Sequence, residues 1–464
     1  MLAREKITTG VRGLDQVLYG GVPANTIAVL MGAPGSGKTI LAEQIAFANA
    51  TPQTPALYLT TLSEPLEKFI VHGQSYGFFD SSKIGESIFY EDLGLILRDQ
   101  GIATLAEAVT TLLLAYTPKF VFIDSFKALN ELFATPLEQR TGVYDLASVL
   151  SAYDCTSFLV GEYAEEMMTD LPEFAIADVV LQLLRYSTNV REQRFLRVEK
   201  LRGSRSVPGM HAFSISKAGI ELFPRLLTPE RTPDYAERVE RIPTGITGLD
   251  AMIGDGFWRG STTLVAGPTG SGKTLMGLHF MREGAARGEP GLFVGLQENP
   301  TQLVRSMRNF GWEPEELLND GFELLYRSPV EMQLDSIASE LFQRISEGKI
   351  KRVVIDALGD LERSSIDQQR FSDFVYALTQ WFAVQSITCL MTYELQDLFE
   401  VHGISNQEVS NMSDNILLLR FKPGTVMERT VRVVKTRGSA HDDHEHMLEI
   451  TSQGIVVRKN DKRL

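Results

Sequence analysis

The chain carries the same glycine-rich octapeptide twice, as GAPGSGKT at residues 32–39 and as GPTGSGKT at residues 267–274. A second signature shares this offset of 235 positions, since TGVRGLD at residues 9–15 is matched by TGITGLD at residues 244–250. One fixed offset between several signatures indicates an internal repeat. The chain is therefore predicted to fold as two copies of one unit, each built around a glycine-rich loop.

The repeat also sets the predicted domain boundaries. KLRGS at residues 200–204 is matched by KTRGS at residues 435–439, so each copy is roughly 230 residues long, whereas length alone would suggest domains of ~150 residues. We predict a first domain at residues 1–226, an ordered linker at residues 227–240, where prolines and charges cluster, and a second domain with a short C-terminal tail at residues 241–464.

Each copy contains the same succession of apolar segments. In the first copy a buried-strand pattern at residues 26–32 leads into the loop, and apolar residues with helical spacing follow at residues 40–50. Further strand patterns at residues 55–62 and 119–124 alternate with helical segments. This alternation predicts an α/β fold in which helices flank a mostly parallel central sheet, with a nucleotide at the carboxyl ends of the strands. The late segments that end in KLRGS and KTRGS are predicted to extend the sheet as antiparallel strands.

The two loops predict phosphate-binding sites. Backbone N–H groups of a glycine-rich loop can close around phosphate oxygens at the positive end of a helix. Lys38 and Lys273 are expected to reach the β and γ phosphates of ATP. The residues expected to bind the nucleotide are Gly32, Ala33, Pro34, Gly35, Ser36, Gly37, Lys38 and Thr39 in the first copy, and Gly267, Pro268, Thr269, Gly270, Ser271, Gly272, Lys273 and Thr274 in the second.

A magnesium site is predicted beside each loop. Thr39 and Thr274 should each supply a hydroxyl to Mg²⁺, and the second hard-oxygen partner should be an aspartate that ends an apolar strand. Asp124 in FVFID and Asp356 in VVIDA are in that position. Because the loop and the acidic strand end occur together in both copies, glycine-rich turns without a ligand are a poor alternative. ATP and Mg²⁺ are the predicted cofactors.

Hydrolysis also needs a group that orients the attacking water. Glu298, in FVGLQENP, follows the next predicted strand of the second copy. The corresponding position in the first copy is Ser63, and Glu64 is displaced by one residue. We predict that Glu298 is catalytic, keep Glu64 as the first-copy candidate, and expect the two sites to differ in activity. The alternative for both glutamates is an ordinary exposed charge at a strand end.

Two basic pairs recur at the same offset, Lys200 with Arg202 and Lys435 with Arg437. Their alternation along predicted strands places both members of a pair on one side. The alternative is a solvated strand face, but a guanidinium beside a transferring phosphoryl group accelerates turnover, and the repetition favours a catalytic role for all four. Because they are distant in sequence from the loops, we expect them to act on the nucleotide of a neighbouring subunit, in a closed ring.

Together these motifs resemble the KaiC-like family of RecA-type ATPases, from about Lys6 to about Val457. The resemblance is strongest in TGxxGLD, the phosphate loops, QENP and K-x-RGS. It implies two tandem RecA-like P-loop NTPase domains, a double-ring homohexamer with ATP between adjacent protomers, and contacts to that ATP in trans from the Lys and Arg of K-x-RGS.

The resemblance also implies autophosphorylation on a neighbouring serine and threonine. Here Ser410 aligns with the serine, but Asn411 replaces the threonine, and Gln297 replaces the glutamate implied to be the kinase's general base. A glutamine cannot accept a proton at neutral pH. A two-residue phosphorylation cycle is therefore not expected, and Ser410 is kept as a candidate phosphoacceptor.

Composition argues against several classes of protein, namely nucleic-acid-binding, membrane-bound and disulfide-stabilised proteins. A net charge of −14 opposes sequence-independent binding to nucleic acid, which depends on a basic surface. No apolar run is long enough to span a bilayer and MLAREKITTG leads directly into the repeat, so we expect no membrane partner and a cytoplasmic location. Two cysteines exclude a disulfide framework as the organising principle.

The leading prediction is a slow Mg²⁺-dependent ATPase that forms a homohexamer and switches conformation in signalling, with unidentified signalling proteins as partners. Three alternatives stay open. They are a Ser/Thr autokinase of the KaiC type acting on Ser410, a RecA-like DNA-dependent ATPase, and a nucleotide-sensing scaffold with little hydrolysis.

Overall fold

A computed structural model of the chain describes residues 5–61, 66–187, 191–229, 239–395, 407–422 and 427–459. By its contacts the chain divides into two compact units, Met1–Arg225 and Leu226–Leu464. The finer division into a linker at residues 227–240 and flanking domains stays a prediction, since residues 230–238 are outside the described part of the chain.

Among the described residues, the first unit contains eleven strands, and nine of them form its central sheet. Its strands are β1 (Lys6–Ile7), β2 (Val22–Pro23), β3 (Ile27–Gly32), β4 (Ala56–Thr60), β5 (Ile88–Asp92), β6 (Phe120–Asp124), β7 (Thr156–Glu162), β8 (Val179–Ser187), β9 (Glu192–Leu201), β10 (Met210–Ser216) and β11 (Gly219–Phe223). The first two strands form a separate antiparallel pair, and the others lie in the order β11-β10-β9-β8-β3-β7-β6-β4-β5. The strands from β8 to β5 in this order are parallel, and β9, β10 and β11 continue the sheet antiparallel.

Helices cover this sheet. They are α1 (Leu14–Val17), α2 (Lys38–Asn49), α3 (Leu66–Gly73), α4 (Leu93–Gln100), α5 (Leu105–Tyr116), α6 (Phe126–Asn130), α7 (Pro136–Ala152) and α8 (Pro172–Ile176), with 3₁₀ turns at Ser81–Lys83, Ile102–Thr104 and Glu165–Thr169. The helix that follows the first loop, α2, begins at Lys38, so the loop occupies the connection between β3 and α2.

The second unit repeats this topology. Its elements are β12 (Arg241–Ile242), α9 (Leu249–Met252), β13 (Phe257–Trp258), β14 (Thr262–Gly267), α10 (Lys273–Ala286), β15 (Gly291–Gly295), α11 (Pro300–Asn309), α12 (Pro314–Asn319), β16 (Phe322–Tyr326), α13 (Leu334–Gly348), β17 (Arg352–Asp356), α14 (Leu358–Ser364), α15 (Gln368–Gln385), β18 (Thr388–Glu394), α16 (Gln407–Met412), β19 (Asn415–Lys422), β20 (Glu428–Thr436), β21 (Glu445–Thr451) and β22 (Gly454–Arg458). The large sheet has the order β16-β15-β17-β18-β14-β19-β20-β21-β22, which matches the first unit strand for strand.

The central strands are buried along their whole length, because helices pack on both faces. Every residue of Ile27–Gly32 and of Thr262–Gly267 is buried, as a parallel sheet enclosed by helices requires. Phe126 belongs to a hydrophobic cluster of the first unit, and Phe280 and Phe382 belong to two clusters of the second. The predicted α/β fold of two tandem P-loop units is confirmed. Among the described helices, none combines the length and the hydropathy needed to cross a bilayer.

Candidate active site

Each glycine-rich loop connects the central strand of its sheet to the helix that follows. Gly37 and Gly272 precede these helices with φ angles of 104° and 106°, a left-handed backbone that residues with a Cβ rarely adopt. The turn directs the first N–H groups of α2 and α10 towards the mouth of the loop, where the positive end of the helix favours an anion. The predicted loop residues 32–39 and 267–274 thus lie where a nucleotide phosphate is expected.

Both loop lysines fold back over their own loops. Lys38 Nζ donates to the carbonyl of Ala33 at 2.9 Å, and Lys273 Nζ donates to the carbonyls of Gly267 and Pro268 at 2.8 and 2.9 Å. Burial lowers the pKa of both ammonium groups, and neighbouring carboxylates oppose this effect. A phosphate at the mouth of the loop would offer each lysine a charged acceptor in place of these carbonyls.

The predicted metal residues meet in each unit. Thr39 Oγ1 donates to Asp124 Oδ2 at 2.8 Å, and Thr274 Oγ1 donates to Asp356 Oδ2 at 2.7 Å. A hydroxyl and a carboxylate at contact distance form a hard-oxygen pair of the kind that Mg²⁺ prefers. Burial raises the pKa of Asp356, although hydrogen bonds from Thr392 and Thr274 favour its ionised form. The donor set therefore fits Mg²⁺ in both units.

Two further loop hydroxyls are buried without a partner. Ser36 Oγ and Ser271 Oγ make no hydrogen bond within the described part of the chain, although each side chain is almost wholly enclosed. A buried polar atom without a partner is costly. Both atoms belong to the same position of the loop, so the same polar group is enclosed in both units.

Glu298 lines a cavity of about 310 Å³ in the second unit together with Lys273, Thr274 and Asp356. Its side chain is half-buried. Burial, followed by the charge of nearby Asp356, raises the pKa of Glu298 above its ordinary value. A carboxylate therefore lies at the mouth of the second loop, and the catalytic role of Glu298 stays a prediction. Glu64, the first-copy candidate, is outside the described residues, and its role stays a prediction.

The first basic pair lies away from its own loop. Lys200 is paired with Val180 and Val180 with Val29, which precedes Gly32 by three residues. At ~3.3 Å per residue this places Lys200 about 10 Å back from the start of the loop, towards the amino ends of the parallel strands. Arg202 follows the end of β9, so it lies farther in the same direction. This pair does not meet the phosphate site of its own unit.

Lys200 and Arg202 instead contact the C-terminal end of α8. Lys200 Nζ donates to the carbonyl of Phe174 at 2.9 Å, and Arg202 Nη2 donates to the carbonyl of Ala175 at 3.5 Å. Cations near the last carbonyls of a helix are favoured. The side chain of Arg202 remains 57% exposed, so most of its guanidinium is accessible from outside the unit.

The second basic pair repeats this arrangement. Lys435 Nζ donates to the carbonyls of Ser410 and Ser413 at 3.0 and 2.7 Å, and Arg437 Nη2 donates to the carbonyl of Asn411 at 2.6 Å. Lys435 is paired with Ile416, on the strand beside β14. The candidate phosphoacceptor Ser410 therefore lies beside Lys435, towards the amino ends of the parallel strands and away from the loop of its own unit.

Some site residues were missed from the sequence. Glu162 and Glu394 end β7 and β18, and their register places them opposite the first residue of each loop. Glu394 accepts a hydrogen bond from Thr269 Oγ1 at 2.8 Å. The signal was present, since an acidic residue closes both matching segments, TSFLVGE and TCLMTYE. Tyr58 and Thr392, which contact the two strand-end aspartates, gave no comparable signal.

Comparison with known proteins identifies the family. A family model described as "ATPase: KaiC" matches residues 7–226 and again residues 242–462. The circadian clock oscillator protein KaiC of Picosynechococcus sp. is 29% identical over 468 residues, which cover 98% of this chain and 90% of that protein. The circadian clock oscillator protein KaiC 1 of Synechocystis sp. is 29% identical, with 98% and 89% covered. The circadian clock protein KaiC3 of the same organism is 28% identical, with 98% and 92% covered. The chain belongs to the KaiC family of ATPases, with one ATPase domain of that family in each half.

Proposed function

We propose that both units bind ATP with Mg²⁺, that the second unit hydrolyses ATP slowly, and that turnover switches conformation and partner binding in a signalling pathway of the cytoplasm. The observation that carries the proposal is the contact between a loop threonine and a strand-end aspartate, formed by Thr39 with Asp124 and by Thr274 with Asp356. In both units the threonine and the aspartate are more than 80 positions apart in sequence. They nevertheless make the same contact, beside the lysine of the same glycine-rich loop.

The proposed chemistry is assigned to side chains of known position. When bound beside these residues, Mg²⁺ would supply positive charge that offsets the negative charge developing during phosphoryl transfer. Lys273 exchanges its loop carbonyls for phosphate oxygens, and the N–H groups at the start of α10 hold the remaining oxygens. Thr274 and Asp356 present the oxygen ligands for the metal.

Glu298 is proposed to orient the attacking water and to receive its proton. Its half-buried position raises the pKa of the carboxyl group, and a base with a pKa nearer to the working pH accepts a proton more effectively. In the first unit Ser63 occupies the corresponding position. We therefore propose that the second site is the more active one.

The four basic residues of the K-x-RGS segments are proposed to act on a neighbouring subunit's nucleotide. Support comes from their place towards the amino ends of the strands, about 10 Å or more behind the loop of their own unit. A subunit with a loop at one end of its sheet and a cationic pair towards the other is suited to head-to-tail contacts, which close into a ring when the rotation between neighbours divides a full turn. We propose a double-ring homohexamer, in agreement with the family to which the chain belongs.

A second candidate function is autophosphorylation of Ser410. The carbonyl of Ser410 accepts a hydrogen bond from Lys435, so Ser410 lies beside the pair that is proposed to face the neighbour's nucleotide. Gln297, exposed in the bend that follows β15, cannot act as the base. This candidate therefore requires another proton acceptor.

Steady-state phosphate release by the intact protein tests the proposal. Glu298→Gln is expected to lower turnover at the second site by ~10²–10⁴-fold, the range associated with general-base catalysis, and to leave ATP affinity within about threefold of the parent. Glu331→Gln, at an exposed position of the same unit, is the matched control. Unchanged turnover in Glu298→Gln would remove the assignment of the base.

The same assay separates the alternatives. A DNA-dependent motor would show turnover that rises when single-stranded or duplex DNA is added, whereas we expect no change. A nucleotide-sensing scaffold would bind ATP and release phosphate no faster than the Lys38→Ala/Lys273→Ala double variant.

A further inference from the structure

The strand-end aspartate of each unit accepts a second hydroxyl besides that of the loop threonine. In the first unit Tyr58 Oη donates to Asp124 Oδ2 at 3.1 Å. In the second unit Thr392 Oγ1 donates to Asp356 Oδ1. Both donors are fully buried, so neither hydroxyl exchanges its partner for bulk water.

The two hydroxyls come from opposite sides of the aspartate strand. Tyr58 is on β4 and pairs with Phe122 of the aspartate strand β6. The strand on the other side of β6 is β7, where Val160 lies directly opposite Asp124. In the second unit the donor Thr392 is on β18, the counterpart of β7.

The residues at the two remaining positions, Phe293 in the second unit and Val160 in the first, have no hydroxyl group to donate a hydrogen bond. Phe293 pairs with Val354 of β17, just as Tyr58 pairs with its phenylalanine, but Phe293 has no hydroxyl. Val160 occupies the position that Thr392 has in the second unit, since they pair with Leu30 and Val265 of the equivalent central strands. Each unit therefore has a single hydroxyl at these two positions, and the position differs between the units.

The second hydroxyl is important because the carboxylate that it bonds is buried. Asp356 is 9% exposed, and burial disfavours an ionised carboxyl unless hydrogen bonds stabilise it. Bonds from a hydroxyl to an ionised acceptor are among the stronger hydrogen bonds in proteins. In the first unit both hydroxyls donate to Oδ2 of Asp124, whereas in the second unit Thr274 and Thr392 donate to Oδ2 and Oδ1 of Asp356. In each unit the second donor therefore restricts rotation of the carboxylate, so that the oxygen beside the loop threonine keeps its direction.

We propose that Tyr58 in the first unit and Thr392 in the second are positioning residues that orient the metal-holding aspartate, and that either strand can supply this hydroxyl. The inference rests on the proposed magnesium sites at Asp124 and Asp356. It identifies Tyr58 as a replacement for the hydroxyl that Val160 lacks. It also predicts that, in either unit, the donor hydroxyl can be moved from one neighbour of the aspartate strand to the other without loss of the magnesium site.

The test measures binding of a fluorescent, non-hydrolysable ATP analogue to the full-length protein while Mg²⁺ is titrated. Lys273→Ala isolates the first site. In that background, Tyr58→Phe is expected to raise the Mg²⁺ concentration for half-maximal binding about tenfold, since loss of a group that orients a metal ligand costs ~10–100-fold in metal affinity. Binding without Mg²⁺ should stay within about twofold, a result that general loss of structure would not give.

The exchange of donor position is the decisive control. Tyr58→Phe/Val160→Thr is expected to restore the Mg²⁺ dependence to within about threefold of the parent. The mirror experiment uses Lys38→Ala to isolate the second site, with Thr392→Val as the loss and Thr392→Val/Phe293→Tyr as the rescue. This mirror experiment still tests the inference if a first-unit variant fails to fold.

Asp124→Asn in the same background distinguishes this inference from the proposed function. If Asp124→Asn shifts the Mg²⁺ dependence and Tyr58→Phe does not, the positioning role is refuted and the magnesium site stands. If neither variant shifts it, the magnesium site itself is wrong. A loss in Tyr58→Phe that Val160→Thr fails to reverse would refute the exchange of donor position.

Discussion

We expect His279 to lower the stability of the second unit in acid, whereas the residue at the matching position of the first unit does not titrate. His279 is on the helix that follows the second loop, and its Nε2 accepts a hydrogen bond from the backbone N–H of Ile455 at 2.8 Å. The first unit has Gln44 at the matching position, and Gln44 accepts the same bond from Ile220 at 2.7 Å. Protonation of the imidazole would remove the acceptor, whereas the glutamine amide does not titrate.

The magnitude follows from the pKa of the buried ring. Burial, and after it the charge of Arg282, lowers the pKa of His279 from 6.5 to about 4. Because the folded value is below the unfolded one, the unfolded state binds the proton first as the pH falls. The contribution to stability is fully present above pH 6.5 and is lost as the pH falls towards 4. With roughly 1.4 kcal/mol per pKa unit, His279 lowers the unfolding free energy by about 2 kcal/mol between pH 7 and pH 5.

Tryptophan fluorescence reports this change selectively. All three tryptophans, Trp258, Trp312 and Trp381, are in the second unit, and Trp312 contacts His279 edge to face with ring centroids 4.8 Å apart. Urea unfolding at pH 7 and pH 5 gives the pH-dependent loss of stability for the parent and for His279→Gln. We expect this loss to be about 2 kcal/mol smaller in the variant.

His72→Gln, at an exposed position of the first unit, supplies the control. It should leave the measured loss unchanged, because all three tryptophans lie in the second unit. Equal losses in the parent and in His279→Gln would show that the buried imidazole keeps its ordinary proton affinity, and the reasoning from burial would be refuted. A larger loss in the variant would have the wrong sign for a buried neutral histidine.

The other predictions concern the two sites and their assembly. Lys273→Ala is expected to lower phosphate release at least tenfold, while Lys38→Ala removes less than half, because the glutamate proposed to orient water, Glu298, is in the second site. Phosphate-release rates in the reverse order would contradict this proposal. Light scattering should show hexamer-sized particles with a non-hydrolysable ATP analogue and smaller ones without it, since a ligand at a subunit interface stabilises the assembled state; monomers under both conditions would contradict the trans role of Arg437. Intact-mass measurement after incubation with Mg²⁺ and ATP should show at most one added phosphate, absent from Ser410→Ala, and two phosphates would refute the argument from Asn411.

The sequence was sufficient for the parts of the site that depend on local pattern. The loops were recognisable because their function resides in backbone geometry and in one lysine and one threonine at fixed spacing. Asp124 and Asp356 were recognisable because each ends a continuous apolar strand. These signals are contained within a few consecutive residues, so no knowledge of the sheet order is needed to find them.

Features that depend on strand order and register were out of reach. The contact of Tyr58 with Asp124 joins side chains 66 positions apart and requires that β4 lie beside β6. Glu162 meets the first loop only because β7 is the neighbour of β3. The alternation of strands and helices predicts a parallel sheet but leaves the order of its strands open, so such partners cannot be assigned before the topology is known.

The separation of each cationic pair from its own loop has a consequence for mixtures of variants. In the proposed ring, a chain with Lys273→Ala lacks a working loop in its second unit but still offers Arg437 to its neighbour, and a chain with Arg437→Ala has the reverse defect. Where these two chains alternate, half of the junctions combine an intact loop with an intact arginine. Two inactive preparations should therefore regain phosphate release after mixing, at a rate proportional to the number of junctions that combine an intact loop with an intact arginine.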